Sequence, residues 1–261
     1  MEKFISPKIF RQLYHPPATS HKGQNGKLLI IAGSKKYHGA LLYCVQAASR
    51  IVDLIYVLST KENQKLIKKL KSQTAEFIPV DKPDFKNLDA VLIGPGLGVS
   101  KKTYELTKKV LQSGKKAVLD ADSLKILDEK LRRMLRPHHI LTPHYIEFKK
   151  AFNLTASKQN VLACVKKYGC NIILKGQTDV VAGPWGLALD KNGNAGLTKG
   201  GTGDILAGLT AGLLCKNPQE IAAQAAVFAV GFAGDRLYSR QKTFYNSEDI
   251  LAILPRVLAS L

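Results

Sequence analysis

The chain has 261 residues, of which 45% are hydrophobic, and this content excludes an intrinsically disordered protein. The length suits one α/β domain, and no linker or low-complexity stretch divides it, so we predict a single domain over residues 1–261. Its 39 basic and 20 acidic residues give a net charge of +19, which favours anionic partners: nucleic acid, a lipid surface or phosphorylated small molecules.

The basic residues are scattered along the chain and do not form one patch. The lysine-rich runs "KENQKLIKKLKSQ" and "KKTYELTKKV" have the pattern of solvated faces of amphipathic helices. No arginine-rich run alternates with aromatic residues, and no zinc-finger spacing occurs. We therefore expect no nucleic-acid partner.

The cysteines and the apolar segments indicate the cellular compartment of the protein. The four cysteines form no C-x-x-C pair and lie in apolar contexts, which predicts buried free thiols in a reducing cytosol. The N-terminal segment lacks the apolar core of a signal peptide. The longest apolar segments, "ILAGLTAGLLC" and "IAAQAAVFAVGFAG", are shorter than the ~18 residues of a membrane span. A soluble cytoplasmic protein without a membrane partner is expected.

Short apolar runs alternate with helical patterns along the chain. The first run, "KLLIIAG", is apolar on both faces, which is typical of a strand buried in a parallel sheet, and a helix over roughly 40–52 follows it. Further strands are predicted at "LIYVLS", "EFIPV", "LDAVLIGPG", "KAVLDAD", "HHILTP" and "NIILKG", followed by an antiparallel hairpin of "DVVAG" and "WGLALD". Further helices are predicted from Glu62, over 101–113, from Pro143, and over 157–168, 204–215, 218–238 and 247–258. This alternation predicts a three-layer α/β/α fold, with a mostly parallel central sheet flanked by helices on both faces.

Five of the predicted strands end in glycine, proline or polar residues: "IAGS", "IGPGLG", "LDAD", "LTPH" and "LKGQ". In open parallel sheets, ligands bind beyond the carboxyl ends of the strands. We therefore expect these five strand ends to form one ligand-binding edge.

The segment "GGTGD", residues 200–204, places three glycines and a carboxylate at the start of an apolar helix. A glycine-rich turn at a helix N-terminus presents several backbone N–H groups to one point, which suits a phosphate. Asp204 would then be a proton acceptor for a hydroxyl that attacks the bound phosphoryl group. The alternative is an ordinary helix start, with Thr202 or Asp204 as the N-cap. Within this helix, Gly208 and Gly212 predict close packing against a neighbour.

Two other strand ends carry candidate ligand contacts. The glycines of "IGPGLG" leave a bare backbone that a flat ring or a ribose could approach, although the loop also suits a tight strand-to-helix connection. In "LDADSL", Asp120 could hold hydrated Mg²⁺ or a ligand hydroxyl. Asp122 could simply cap the following helix.

The remaining strand ends contain a histidine, a glutamate and a lysine. Pro143 is predicted at the first helical position, which places His144 and Glu147 on one face. His144 could bind a ligand and Glu147 could orient water on Mg²⁺; alternatively, each is an ordinary first-turn residue. In "LKGQTD", Lys175 could grip a nucleotide phosphate, or the segment is only the entry to a hairpin.

The common nucleotide-binding signatures are missing. No G-x-x-x-x-G-K-[ST] and no G-x-G-x-x-G occurs, which argues against a Walker-type ATPase and a standard Rossmann dehydrogenase. The segment "GSKKYHGA" has glycines and basic residues that suit an anionic ligand. The histidines form no H-E-x-x-H motif or cluster, so no structural zinc is expected.

Taken in order, "HKGQNGKLLIIAGSKKYHGA", "IGPGLG", "LDADSL", "LTPHYIEF", "LKGQTDVV" and "GNAGLTKGGTGDILAGLTAGLL" resemble the nicotinamide-nucleotide-hydrate dehydratases. The resemblance runs from about His21 to the C-terminus and implies a ribokinase-like fold, without the epimerase domain that many members carry. It also implies nucleotide-dependent dehydration of hydrated NADH and NADPH (NADHX and NADPHX). The ring hydroxyl would be phosphorylated transiently and phosphate then lost, with Mg²⁺ as cofactor. ADP is favoured over ATP as co-substrate, and a homotetramer is implied.

The resemblance also assigns site residues. Asp204 would be catalytic and would contact the hydrated dinucleotide together with Ala40, Gly96, Gly98 and His144. The adenine nucleotide would contact Lys175, Gly176, Gln177, Thr178, Asp179, Gly201, Thr202 and Gly203. The candidates for the metal come from the residues alone: Glu147, through water, and Asp120.

One position departs from the family pattern, and two other functions stay open. The nucleotide loop of the family reads K-G-x-x-T, whereas here Asp179 holds the last place, which puts the side-chain contact of the loop in question. A kinase of a small hydroxylated vitamin precursor or sugar would share the phosphate site and the base. The pair His144 and Glu147, in place of the N-x-x-E of sugar kinases, favours the dehydratase. A basic nucleic-acid-binding protein is the third alternative.

Overall fold

The computed structural model describes residues 2–70 and 74–261. Within these residues, the strands form a single sheet in the order β3-β2-β1-β4-β5-β6-β7-β8-β9. The strands are β1 (Lys27–Ile31), β2 (Leu54–Leu58), β3 (Ile78–Pro79), β4 (Ala90–Ile93), β5 (Lys116–Leu119), β6 (His139–Leu141), β7 (Asn171–Leu174), β8 (Asp179–Gly183) and β9 (Gly186–Asp190).

The α-helices of the described residues follow the predicted order. They are α1 (His38–Ala48), α2 (Lys61–Leu70), α3 (Lys101–Gln112), α4 (Asp122–Lys125), α5 (Glu129–Arg132), α6 (Tyr145–Phe152), α7 (Lys158–Tyr168), α8 (Thr202–Leu214), α9 (Gln219–Gln241) and α10 (Ser247–Ala259). The described part of the chain also has two 3₁₀ segments, Pro7–Gln12 and Ala195–Thr198. The predicted lysine-rich helix extended to residue 73, and its last three residues lie outside the described part.

The sheet is parallel from β3 to β7, and β8 and β9 add an antiparallel hairpin at one end. The central strands are apolar on both faces because helices cover both sides: β4 and β7 are buried at every residue. The predicted mostly parallel sheet and its terminal hairpin are confirmed.

Two hydrophobic cores lie on opposite faces of the sheet. One joins α1, α8, α9 and α10 to the sheet, and the other joins α3, α6 and α7 to it. The helices α1 and α8 pack closely because α8 presents glycines: a Cβ on Gly208 would lie 2.5 Å from the carbonyl oxygen of Cys44. The predicted close packing of this helix is confirmed.

Two further expectations concern the thiols and the membrane. Cys44, Cys164, Cys170 and Cys215 are all buried and unpaired, as expected. In the described part of the chain, no helix has both the length and the apolar character needed to cross a bilayer.

Candidate active site

The five polar strand ends belong to β1, β4, β5, β6 and β7, which are consecutive in the sheet and parallel. Their carboxyl ends therefore lie along one edge, and the predicted convergence is confirmed. The N-terminus of α8 lies at this edge, since a Cβ on Gly203 would lie 3.4 Å from the Nζ of Lys175, which follows β7.

The start of α8 is built by a glycine and not by a capping side chain. Gly201 is the N-cap residue, with φ of +100°, and among residues 2–70 and 74–261 no side chain caps the first turn. The Thr202 hydroxyl instead donates to the carbonyl oxygens of Leu197, at 2.7 Å, and Lys199, at 3.0 Å. The interpretation of Thr202 or Asp204 as N-cap is therefore wrong. The Thr202 N–H donates to the carbonyl oxygen of Lys199 at 3.4 Å, whereas the N–H groups of Gly203 and Asp204 make no hydrogen bond among the described residues and stay available to an anion.

Asp204 lies in this first turn and is partly buried. Among the described residues, its carboxylate accepts no hydrogen bond and forms no ion pair. Burial raises the pKa of Asp204 to about 7, and repulsion by Asp120 adds to the effect, while the nearby Lys175 opposes it. Asp204 is thus a carboxylate that exchanges a proton near neutral pH, as a general base requires.

Lys175, which follows β7, forms ion pairs with carboxylates that follow β5 and β6. Its Nζ lies 3.1 Å from Asp120 Oδ1 and 3.9 Å from Glu147 Oε2, and a Cβ on Gly203 would lie 3.4 Å from it. Thr142 Oγ1 donates to the same Asp120 oxygen at 2.7 Å. Burial acts against the ammonium, but Asp120 and Glu147 outweigh it and raise the pKa of Lys175. A permanent positive charge therefore lies next to the first turn of α8.

His144 and Glu147 form the reciprocal capping box of α6. The Glu147 carboxylate accepts from the His144 N–H at 3.1 Å, and His144 Nδ1 accepts from the N–H groups of Ile146 and Glu147. His144 is the N-cap, so the prediction of Pro143 as the first helical residue is wrong. Since Nδ1 accepts, Nε2 carries a ring proton, and it lies 3.4 Å from Glu147 Oε1.

Asp122 anchors the glycine loop after β4. Its Oδ2 accepts from the Gly98 N–H at 2.8 Å, and its Oδ1 pairs with Lys125 Nζ at 2.9 Å. Ala121, with φ of +47°, is the N-cap of α4, so the expectation that Asp122 caps this helix is wrong. The sequence offered no signal for this contact, because Gly98 and Asp122 follow different strands.

The glycine loop after β4 also meets the start of α1. A Cβ on Gly96 would lie 2.7 Å from the carbonyl oxygen of Tyr37 and 3.1 Å from Ala40 Cβ. The structure thus brings together Ala40, Gly96 and the neighbouring Gly98, all of which were singled out from the sequence.

The loop after β7 is held by its own aspartate. Asp179 Oδ1 accepts from the Gly176 N–H at 2.7 Å, and the Lys175 N–H donates to the carbonyl oxygen of Pro143 at 2.9 Å. Burial raises the pKa of Asp179 to about 7 despite the Gly176 bond. Within this loop Gly176 and Gln177 are exposed, and Thr178 is half-buried.

Asp190 is a buried carboxylate that sequence reasoning missed. It is the β9 partner of Asp179 in the hairpin register. Its Oδ2 is buried and has no hydrogen-bond partner among the described residues. Burial raises the pKa of Asp190 to about 6. The hairpin pattern could have indicated that the two residues are paired, since Asp179 begins β8 and Asp190 ends β9.

Lys199, next to the glycine segment, points away from it. Its Nζ donates to the carbonyl oxygens of Thr243 and Tyr245 and lies over the Tyr245 ring, 5.4 Å from the centroid. Lys199 therefore ties the start of α8 to the segment before α10.

The family model described as NAD(P)H-hydrate dehydratase matches residues 28–256. The chain is 35% identical over 254 residues to the "Bifunctional NAD(P)H-hydrate repair enzyme Nnr" of Methanocaldococcus jannaschii, which covers 92% of this chain and 50% of the relative. The chain thus spans about half the length of that relative. It is 31% identical to the "ADP-dependent (S)-NAD(P)H-hydrate dehydratase" of Nitrosopumilus maritimus, over 92% of this chain and 90% of the relative.

A solved structure has the same architecture. The ADP/ATP-dependent NAD(P)H-hydrate dehydratase of Bacillus subtilis, co-crystallised with ATP/Mg²⁺, superposes with a TM-score of 0.84 at 25% identity, covering 99% of this chain and 98% of that chain. This likeness confirms the predicted ribokinase-like fold class. With a family model that matches most of the chain and a relative of similar length at 31% identity, the chain belongs to the NAD(P)H-hydrate dehydratase family.

Proposed function

We propose that this protein dehydrates NADHX and NADPHX to NADH and NADPH, with ADP as the phosphoryl donor and ATP as the alternative donor. One observation carries the proposal. Asp204, whose pKa is raised by burial to about 7, lies at the N-terminus of α8, where no described side chain caps the backbone N–H groups. Family membership and the ADP-dependent relative support the choice of substrate and donor.

The first turn of α8 supplies the phosphoryl site. The backbone N–H groups of Gly201 and Gly203 bind the terminal phosphate of the nucleotide, with Thr202 between them, and the helix dipole favours its charge. The Lys175 ammonium, close to Gly203, neutralises charge on the transferring group. Such positioning and charge stabilisation are the main protein contributions to phosphoryl transfer.

Asp204 then takes the proton of the ring hydroxyl. The hydroxyl oxygen forms a bond to the terminal phosphorus while the bond from that phosphorus to the bridging oxygen breaks, so AMP leaves from ADP. Inorganic phosphate next departs from the ring, and a proton is lost from the adjacent ring carbon, which restores the double bond. The net reaction converts ADP and NADHX into AMP, phosphate and NADH.

We propose ligand contacts for both substrates. The dinucleotide would lie against Ala40, Gly96, Gly98 and the Nε2 of His144. The adenine nucleotide would lie on the loop of Lys175, Gly176, Gln177, Thr178 and Asp179.

The donor set at this edge fits a hydrated magnesium ion. Among the described residues, no three His, Cys, Asp or Glu side chains converge as metal ligands. Mg²⁺ keeps several waters and binds through one or two carboxylates plus substrate phosphates, so the carboxylates of Asp120 and Glu147 suffice. Asp120 and Glu147 would hold the ion, Glu147 through water. When bound, Mg²⁺ would neutralise charge on the nucleotide phosphates.

The test is to incubate NADHX with the protein, Mg²⁺ and either ADP or ATP, and to follow recovery of the NADH absorbance. We expect recovery with at least one nucleotide, faster with ADP, and release of AMP and phosphate in equal amounts. No recovery with either nucleotide would contradict the proposal. A stable phosphorylated product would instead indicate a small-molecule kinase.

A variant isolates the role of the base. Asp204→Asn should lower turnover by at least about a hundredfold, the usual scale of general-base catalysis, while ADP binding measured by calorimetry persists. Wild-type turnover in this variant would exclude Asp204 as the proton acceptor.

We also propose that the protein works in the cytoplasm as a homotetramer. The four buried thiols suit a reducing compartment. Light scattering coupled to size-exclusion chromatography would give the mass of the assembly, and a monomer at micromolar concentration would contradict the tetramer.

A further inference from the structure

The loop between β7 and β8, assigned above to the adenine nucleotide, closes on a carboxylate of its own. The two strands pair in antiparallel register, with Leu174 opposite Val180. Continued by one residue, this register places Lys175 opposite Asp179. Asp179 Oδ1 accepts a hydrogen bond from the Gly176 N–H at 2.7 Å. A backbone N–H of the nucleotide loop is therefore already bound to an acidic side chain of the protein.

A second carboxylate lies beside Asp179. Asp190 is its β9 partner, and residues directly opposite each other in an antiparallel pair have Cβ atoms about 5 Å apart on the same face. Asp190 is 2% exposed, and its Oδ2 has no hydrogen-bond partner among the described residues. Like charges directly opposite each other destabilise a sheet, so stability does not explain why the two stand together.

No cation pairs with either carboxylate in the described part of the chain, although the protein has 39 basic and only 20 acidic residues. Lys175 is the basic side chain nearest in the register, but it forms its ion pairs with Asp120 and Glu147. Burial is the main cause that raises the pKa of Asp179, and the repulsion by Asp190 outweighs the attraction by Lys175. The base of the hairpin therefore carries negative charge that the protein leaves uncompensated.

The proposed donor site brings phosphates next to this charge. The terminal phosphate is expected at the first turn of α8, where a Cβ on Gly203 would lie 3.4 Å from Lys175 Nζ. The backbones of Lys175 and Asp179 lie one strand spacing apart, about 4.8 Å. Because transfer fixes the terminal phosphate at α8, ATP places a phosphate where ADP carries its ribose. ATP therefore brings one more negative charge into the field of Asp179.

We propose that Asp179 makes this protein selective for ADP over ATP as the phosphoryl donor. The inference rests on the proposed function and deepens it, because it names the side chain that sets the choice of donor. Repulsion by the Asp179 carboxylate disfavours the longer phosphate chain, and the buried Asp190 adds to this repulsion. The hydrogen bond from Gly176 keeps the carboxylate at the loop.

Calorimetric titration with ADP and with ATP measures the preference without turnover, because no hydrated dinucleotide is present. Both titrations are made in excess Mg²⁺ at pH 8, where Asp179 is ionised because its pKa is about 7. We expect the wild-type protein to bind ADP about tenfold more tightly than ATP, the scale of one charge repulsion near a protein surface. Asp179→Asn should bind the two nucleotides within about threefold of each other, mainly because it binds ATP more tightly.

The choice of variants separates the charge from the hydrogen bond. Asparagine keeps an oxygen that accepts from the Gly176 N–H, so a merely structural role of Asp179 predicts an unchanged ratio of the two affinities. Asp179→Ala removes both the charge and the bond. It should bind ADP more weakly than the wild type does and still bind the two nucleotides within about threefold of each other.

Asp53→Asn is the matched control. Asp53 also accepts from backbone N–H groups, those of Gly23 and Asn25, but it precedes β2 and so lies at the opposite edge of the sheet. It should keep the wild-type ratio. Equal affinity of the wild-type protein for ADP and ATP, binding of neither, or a preference that survives in Asp179→Asn would overturn the inference. Failure of the proposed function would show separately, as absence of NADHX turnover with both nucleotides.

Discussion

Asp204→Asn should stabilise the protein at alkaline pH while it removes activity. Burial and repulsion by Asp120 raise the pKa of Asp204 from 3.8 to about 7, a shift of about 3 pH units. At 1.36 kcal/mol per unit, the ionised carboxylate costs at most about 4 kcal/mol of folding free energy at pH 8. Water entry and local relaxation reduce the expected cost to about 2 kcal/mol. The neutral amide avoids this cost.

The direction of the pH dependence follows from proton binding. The folded carboxyl group holds its proton up to about pH 7, whereas the unfolded group releases it near pH 3.8. Stability contributed by this group is therefore full below pH 3.8 and is lost as pH rises through 7. The advantage of the variant should be largest at pH 8 and should shrink towards pH 4.

Urea denaturation of both proteins between pH 4.5 and 8 measures this difference as a change in the free energy of unfolding. Asp179 and Asp190 titrate in the same range, but they are common to both proteins and largely cancel. The exposed Asp81→Asn variant is the control and should match the wild type at every pH. A difference between Asp204→Asn and wild type that does not grow with pH would refute the reasoning.

Three further predictions concern the reaction, the glycine loop and the sheet edge. If Asp204 is the base, kcat/KM should fall about tenfold per pH unit below about pH 7, because the protonated acid cannot accept a proton; equal values at pH 5.5 and 8 would contradict this role. Asp122→Ala, which leaves the Gly98 N–H unbonded, should raise KM for the hydrated dinucleotide several-fold and cost about 1–3 kcal/mol of stability; an unchanged KM would show that Gly98 is not held for the substrate. Gly94→Ala should cost more than about 3 kcal/mol, because φ is +126° and the new Cβ would lie 1.8 Å from the Asp120 carbonyl oxygen. Gly114→Ala, with φ of +68° and open space, should cost only about 1–2 kcal/mol, and equal losses in the two glycine variants would contradict the argument from packing.

The amino-acid sequence by itself determined the layers of this protein and the edge at which its ligands bind. Runs such as "KLLIIAG" are apolar on both faces, and such a strand is stable only when helices or other elements cover both sides of the sheet. The spacing of helical segments between them implied parallel strands, and parallel strands place their polar ends on one edge. These are local signals, readable within about ten residues, and the observed order of β1, β4, β5, β6 and β7 agrees with them.

The partners of the polar side chains were decided only by the tertiary structure. Lys175 contacts Asp120 and Glu147, which follow other strands. Asp122, expected to cap a helix, accepts a hydrogen bond from the Gly98 N–H instead. Lys199 binds the segment before α10. Each of these contacts joins residues that are more than twenty positions apart. A polar side chain in a loop has several acceptors or donors within reach, and which of them it meets depends on how the neighbouring loops pack. Periodicity fixes the face on which a residue lies, whereas only the packed loops fix its hydrogen-bond partner.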